Sequence, residues 1–333
     1  MIYDFFYNWF NGFLSPLLSF ILGWVAVFII GVLITLNIPI ILGWVDRKLS
    51  ARIQSRYGPT YNGPFGLLQN IADVIKLMGK RFITNRNVDT LVLNIVPVAL
   101  SLLAFIMVFI IPWGNPNLIL VSVPFNLLFI YIAMALSPLF VLLAGWSQNN
   151  KYAMLGGFRG AAQITTYELS LLLIFVGVGM LSGSYNITTI VNAQSHIWYI
   201  MYLPIMFIVF LLSSLAITER APFDLPEATQ ELQAGWKIEY PGIRYGLFFI
   251  AEYVRLAIAA MLLVYLFFGG WNGPVLPDYI WFWAKTAVVT FVLMSLRWVF
   301  NRPRMDQLIK IGFNWLLPLS VINLLIVGAV LFY

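Results

Sequence analysis

The sequence predicts an all-α, polytopic membrane protein with about eight transmembrane helices and one further amphipathic helix lying in the interface. Hydrophobic residues fill 61% of the 333 positions and charged residues 10%, which excludes an ordinary soluble domain. The apolar residues also run in stretches that suit a hydrocarbon core about 30 Å thick, which takes roughly 20 residues per helix. These stretches are too long and too continuous for lipid-facing barrel strands, which leaves helices as the spanning structure.

Taken in order, the predicted spans lie near 17–45, 91–112, 118–145, 161–182, 198–217, 243–268, 279–299 and 313–332. The first is too long for a signal-peptide core and lacks a basic leader, so it is expected to stay as a span. No short repeat, low-complexity linker or internal boundary divides the chain, and residues 1–333 are expected to form a single integral membrane domain.

Orientation follows from Lys and Arg. The connection after the first span carries Arg47, Lys48, Arg52, Arg56, Lys76, Lys80, Arg81 and Arg86. Others on that side carry Lys151 and Arg159, then Arg220 and Lys237, then Arg302, Arg304 and Lys310. The opposite connections, 113–117, 182–197 and 269–278, have neither residue type. The positive-inside rule therefore places the charged loops in the cytoplasm, or its organellar equivalent, and both termini outside. A prokaryotic cell membrane is the favoured location. The net charge of +6 follows from this bias and needs no nucleic-acid partner.

Several chemistries are excluded. With no Cys, the chain has no disulfide and cannot itself hold a thiolate-ligated iron–sulfur cluster. The single His196 falls in an outer connection and reads as a bland surface residue, so no metal site is expected. No glycine-rich phosphate loop follows a soluble strand.

Within the first inner connection, residues 63–80 place Leu68, Ile71, Ala72, Ile75 and Met78 at helical spacing, with Gln69, Asp73, Lys76 and Lys80 on the other stripe. That is an amphipathic interfacial helix, either a plain anchor or one wall of a chamber for an amphiphilic ligand. The second connection leads into the fourth span, where Tyr167 and Glu168 lie about seven residues in, roughly 10 Å along a helix. A carboxyl at that depth must face protein or water, either as a structural hydrogen-bonding group or as a proton-relay element. The third connection is the densest in acids: Glu219, Asp224, Glu227, Glu231 and Glu239. Asp224, Glu227 and Glu231 are spaced to share one face of a helix. A capping box explains Asp224 and Glu227 but not the rest, and crowded carboxylates couple their titrations. In the sixth span Glu252 and Arg255 are three apart and expected to pair, a structural or a functional arrangement. Lys285 is expected to snorkel and Arg297 to anchor its helix.

The segments GPFGLLQNIADVIKL, LAGWSQNNKYAMLGGFRGAAQITTYE, RAPFDLPEATQELQAGWKIEYPGIRYGLFFIAEY, GGWNGPVLPDYIWFWAK and RPRMDQL, in this order, resemble the respiratory complex I membrane subunit that bridges the redox and membrane arms. This is the subunit 1 family of NADH:quinone oxidoreductase, found also in related energy-converting dehydrogenases. The resemblance implies a quinone substrate, met in a tunnel built jointly with soluble subunits that carry the terminal iron–sulfur cluster. Inner loops 46–89, 146–160, 218–242 and 300–312 would form the docking face for that redox arm. Flavin and clusters would belong to partners, and small and antiporter-like subunits, with lipid, would surround the helices.

By the same resemblance, Asp46, Arg47 and Asp73 match the quinone tunnel. Glu168, Glu227, Glu231 and Glu252 match an acidic chain leading away from it; Glu219 and Asp224 join them as relay candidates, with Tyr167, Arg159 and Arg255 in support. The chain departs from the pattern at Asp46, usually Glu, at Thr229, usually an acid, and at Ile217, frequently Glu. Related hydrogenase or deazaflavin-linked dehydrogenase complexes use similar subunits. A stand-alone ion transporter and a passive anchor for soluble subunits are the competing readings from other classes.

Overall fold

Backbone polar groups find no water in hydrocarbon, so each apolar run closes its hydrogen bonds within itself and folds as a helix. The computed structural model describes residues 2–11, 15–83, 85, 87–274 and 276–332. Arg86, one of the basic residues counted above, lies outside the described residues. Among those described there is no strand.

The chain opens with a helix that the predicted spans, beginning near 17, do not include. Helix α1 (Ile2–Asn11) folds back on α2 (Pro16–Ile53), setting the Tyr3 ring 4.8 Å from Trp24. Pro16 suits the first turn of α2, where its missing N–H costs nothing. At 38 residues α2 is about 57 Å long and outruns the hydrocarbon core, carrying Asp46 and Arg47 on its last turns. The expected interfacial helix is α3 (Gln69–Gly79). It turns Ile75 and Met78 outward, at 64% and 67% exposed, and tucks Asn70 inward, where its amide donates to the Ile40 carbonyl at 2.7 Å.

Helix α4 (Thr90–Ile110) is capped by Asp89, whose side chain accepts from the Val92 N–H. The third predicted span is split into α5 (Asn126–Ala135) and α6 (Ser137–Ser147), because Pro138 removes a donor just past Leu136. Helix α7 (Lys151–Ser182), capped by Asn150, starts ten residues before the predicted boundary. Arg159 and Gly160, expected in a connection, therefore sit inside a helix.

After α8 (Ile187–Ala193), the fifth span departs most from expectation. It is broken into α9 (Tyr199–Tyr202) and α10 (Pro204–Ile217), since Pro204 pushes Leu203 out of helical geometry. At 14 residues α10 is about 21 Å long, short of the core thickness. Among the described residues, seven helical segments, two of them interrupted and counted as one each, are long and apolar enough to cross alone, with α10 a shorter apolar helix. The short α11 (Thr229–Leu232) lies in the third connection. Then come α12 (Ile243–Phe267), α13 (Asp278–Val299), α14 (Met305–Ile311) and α15 (Leu317–Phe332). A π-helical turn over Gly312–Leu316 joins the last two, where Pro318 supplies no N–H.

The centre of the bundle is α12, buried without interruption from Tyr253 to Phe267 and packed against α2, α4, α10 and α13. A helical stretch apolar on every side except at Arg255 belongs in such a position. Helix α7 forms the second axis, against α6, α10 and α15. The ends of α2, α6, α10 and α13 and the starts of α4, α7, α12 and α14 meet at one end of the bundle, where the acids gather.

Candidate functional site

Two devices fix the acidic loop, residues 218–242, on the bundle. Glycines bring backbones close: a Cβ on Gly156 of α7 would lie 2.6 Å from the Trp236 nitrogen, and one on Gly160 only 3.1 Å from Glu219 Oε1. Buried amides clamp the loop backbone. Gln163 donates to the Ala216 and Phe223 carbonyls at 2.8 and 2.7 Å, while Gln148 donates to the Trp236 carbonyl and accepts the Glu239 N–H at 3.0 Å. The loop also holds left-handed backbone at the non-glycine Glu219 (φ 51°) and Ala234 (φ 102°), strain tolerated only because the surroundings over-determine it.

This construction overturns the expected helical face. Leu225–Glu227 is a 3-10 turn, and the extended Ala228 (ψ 101°) interrupts it before α11 begins. Asp224 makes no side-chain cap bond, so the capping box does not form. The three acids instead point to three partners. Asp224 takes a bidentate pair from Arg302 at 2.8 and 2.6 Å, Glu231 pairs with Arg159 at 2.8 Å, and Glu227 pairs with Lys237.

Beneath the loop lies a buried ion network. Asp46 Oδ2 accepts from Arg220 and from the Tyr253 hydroxyl, both at 3.0 Å, with Arg297 at 3.5 Å. Arg220 also reaches Glu252 at 3.3 Å, Glu252 reaches Lys237 at 3.3 Å, and Lys237 reaches Glu227. Glu219 and Arg255 form a looser pair at 3.8 Å. Glu252 and Arg255, expected to pair with each other, thus take separate partners. Asp46, Glu219, Glu227 and Glu252 face Arg220, Lys237, Arg255 and, at the exposed margin, Arg297, so four acids balance four bases. Burial of unbalanced charge would cost several kcal/mol per ion, and the match is what makes the cluster tolerable.

Desolvation pushes the Glu227 carboxyl up to about 7 against the opposing pull of Lys237. It likewise raises Glu219, although Arg255 and Lys237 pull the other way. For Lys237, desolvation is outweighed by Glu227, Glu252 and Glu219, and the ammonium is held above its ordinary range. Arg220 is held the same way by Glu252, Tyr253 and Asp46.

Beside the network, a cavity of about 460 Å³ opens between α2, α3 and α12. Arg47 and Asp73, paired at 2.7 Å, line it together with Asn70, Tyr245 and Phe249. Arg47 follows Asp46 directly, so cavity and network meet on one turn of α2. A larger groove of about 750 Å³ between α2, α12 and α13 has no charged lining residue, and its walls match a lipid-facing surface better than a reaction site.

Glu168 and Tyr167 stand apart. Tyr167 donates to the Leu308 carbonyl at 3.0 Å, a structural role. Glu168 is 6% exposed and forms no ion pair among the described residues, with Oε1 lacking a protein partner. A cavity of about 10 Å³, room for one water, lies between Arg255 and the α7 face at Leu171, one turn beyond Glu168. Sequence reasoning missed Lys237, Arg220, Arg297 and Tyr253 as members of the network. The three bases were counted only for orientation or anchoring. Lys285, expected to snorkel, instead donates to the Phe268, Gly270 and Asn272 carbonyls at 2.8, 3.1 and 2.7 Å and closes the end of α12.

A sequence profile described as NADH dehydrogenase matches residues 25–328. The chain is 38% identical over 330 residues to the H 2 subunit of NADH-quinone oxidoreductase from Syntrophobacter fumaroxidans, covering 97% of both chains. It is 40% identical over 308 residues to the H 2 subunit of NADH-quinone oxidoreductase from Geobacter sulfurreducens, covering 90% of this chain and 94% of that one. The H 1 subunit of the Geobacter metallireducens NADH-quinone oxidoreductase is 40% identical over 306 residues, or 90% and 93% of the two chains.

Proposed function

The chain belongs to the NADH dehydrogenase family as an H-type membrane subunit of NADH-quinone oxidoreductase, and from that premise we propose that it builds a quinone chamber and couples quinone reduction to proton translocation. The chamber is the cavity of Arg47, Asn70 and Asp73, walled by α3, whose outward apolar face rests in the interface and admits a lipid-soluble substrate. Soluble subunits docked over loops 46–89, 146–160, 218–242 and 300–312 carry the terminal cluster, since a chain without Cys supplies no thiolate ligands. The Lys- and Arg-rich end is cytoplasmic, both termini are outside, and the single domain sits in a prokaryotic cell membrane.

One observation carries the coupling: the ion-pair chain Asp46–Arg220–Glu252–Lys237–Glu227, which begins one residue from the cavity. Quinone reduction takes up two electrons and two protons and yields a neutral quinol. Withdrawing or returning a proton at one end of this chain changes its net charge by one, and every later pair must accommodate that change. The route continues past Glu219, Arg255 and the water-sized cavity toward Glu168, and from there to the antiporter-like subunits.

Glu227→Gln and Glu252→Gln in assembled membranes are expected to keep the complex intact and to lower quinone-coupled proton uptake. Glu231→Gln, which breaks only an exposed pair worth about 0–1 kcal/mol, is expected to leave it near wild type. Full coupling in both of the first two variants removes the network from the mechanism.

A further inference from the structure

Lys237 drew no site role from the sequence, and in the ion-pair chain it is only a link. Its surroundings say more. The side chain is 5% exposed and its ammonium lies 4.9 Å from the Trp236 ring centroid. It contacts carboxylates from two different elements, Glu227 of the loop and Glu252 of α12. The backbone under it is pinned by Gln148 and by the close approach of Gly156, so the flexible four-carbon stem is the part free to move. The groups facing it are Glu219 and Glu227 from the loop and Glu252 and Tyr245 from α12. From α6 and α7, which pack against the same turn, come the uncharged Gln148 and Gly156.

We propose that Lys237 is a positioning residue that serves as a shared, movable counter-cation between the acidic loop and α12. While Glu227 is ionised, the ammonium bridges it to Glu252. When Glu227 takes a proton, the attraction on that side falls and the ammonium passes wholly to Glu252. No bond is made or broken; one proton arrives at Glu227 and one cation shifts. The loop and the central helix are thereby joined or released according to the charge on a single carboxyl. This inference rests on the relay reading given above.

The test follows the carboxyl of Glu227 in the assembled complex by infrared spectroscopy against pH, its band identified by loss in Glu227→Gln. Lys237→Gln removes the shared cation and is expected to move the midpoint alkaline by roughly one to three pH units. Glu252→Gln gives the ammonium to Glu227 alone and is expected to move it in the acid direction. Lys237→Arg, which keeps the charge between the same two acids, is expected to restore the wild-type midpoint. Unmoved midpoints in Lys237→Gln and Glu252→Gln mean that the ammonium does not answer to the charge on Glu227 and overturn the proposal. If Lys237→Gln fails to assemble, a Glu252→Gln midpoint that stays put or moves alkaline overturns the proposal. If Glu227→Gln and Glu252→Gln both retain full coupling, the relay reading falls first. If Glu227→Gln loses coupling while the midpoints stay put, only the movable cation is wrong.

Discussion

At Glu227 burial and pairing compete, and burial prevails. Its ordinary value is 4.5, and burial raises it to about 7 in the fold. A raised carboxyl means the fold disfavours the ionised form: the penalty is absent below 4.5, grows between 4.5 and about 7, and is complete above. Wild-type stability relative to Glu227→Gln is therefore expected to rise as pH falls through that window, and paired melting curves across it check the sign. The acids themselves were legible in the sequence, because carboxylates crowded beside a bilayer need a reason. Their partners were not. Asp46 and Arg220 stand 174 positions apart, and no local spacing reports a contact of that range. The one pairing that spacing did suggest, Glu252 with Arg255, fails because each finds a closer opposite charge on the loop.

At the scale of elements, the helices follow from hydropathy and their breaks from proline. The spans near 91–112, 243–268 and 279–299 appear where expected as α4, α12 and α13. Pro138 and Pro204 split two others, and α1 lies ahead of the first predicted span, in a stretch assigned to no element. The acidic loop resisted reading because its shape is set from outside, by Gly156, Gly160, Gln148 and Gln163, rather than by its own propensities. Two glycines should therefore respond differently to a methyl group. Gly156→Ala drives it into the backbone at Trp236 and is expected to destabilise by about 1–3 kcal/mol. Gly79→Ala, with nothing within 4 Å, is expected to be neutral or to gain up to about 1 kcal/mol from helix propensity. Thermal denaturation of the two variants measures both.

For the whole molecule, the absence of Cys turns topology into a direct question, since any introduced thiol is unique. Tyr57 and Tyr61, at 94% and 98% exposed, mark the charge-rich end, and Met201, at 76%, marks the other. In membranes stripped of soluble subunits, a Cys at Tyr57 is expected to react with an impermeant maleimide only from the cytoplasmic side, and one at Met201 only from outside; the reverse pattern would invert the bundle. In the proposed mechanism the cavity speaks to the acidic loop through one connected set of charges, with Arg220 as the first joint. Arg220→Lys keeps the positive charge but replaces a rigid five-donor fork with a single ammonium that cannot hold Asp46 and Glu252 in the same geometry. The decisive measurement is the number of protons translocated per quinone reduced by this variant in sealed vesicles. Quinone turnover is expected to persist while that ratio falls. An unchanged ratio in a complex that turns over normally would contradict the proposed coupling.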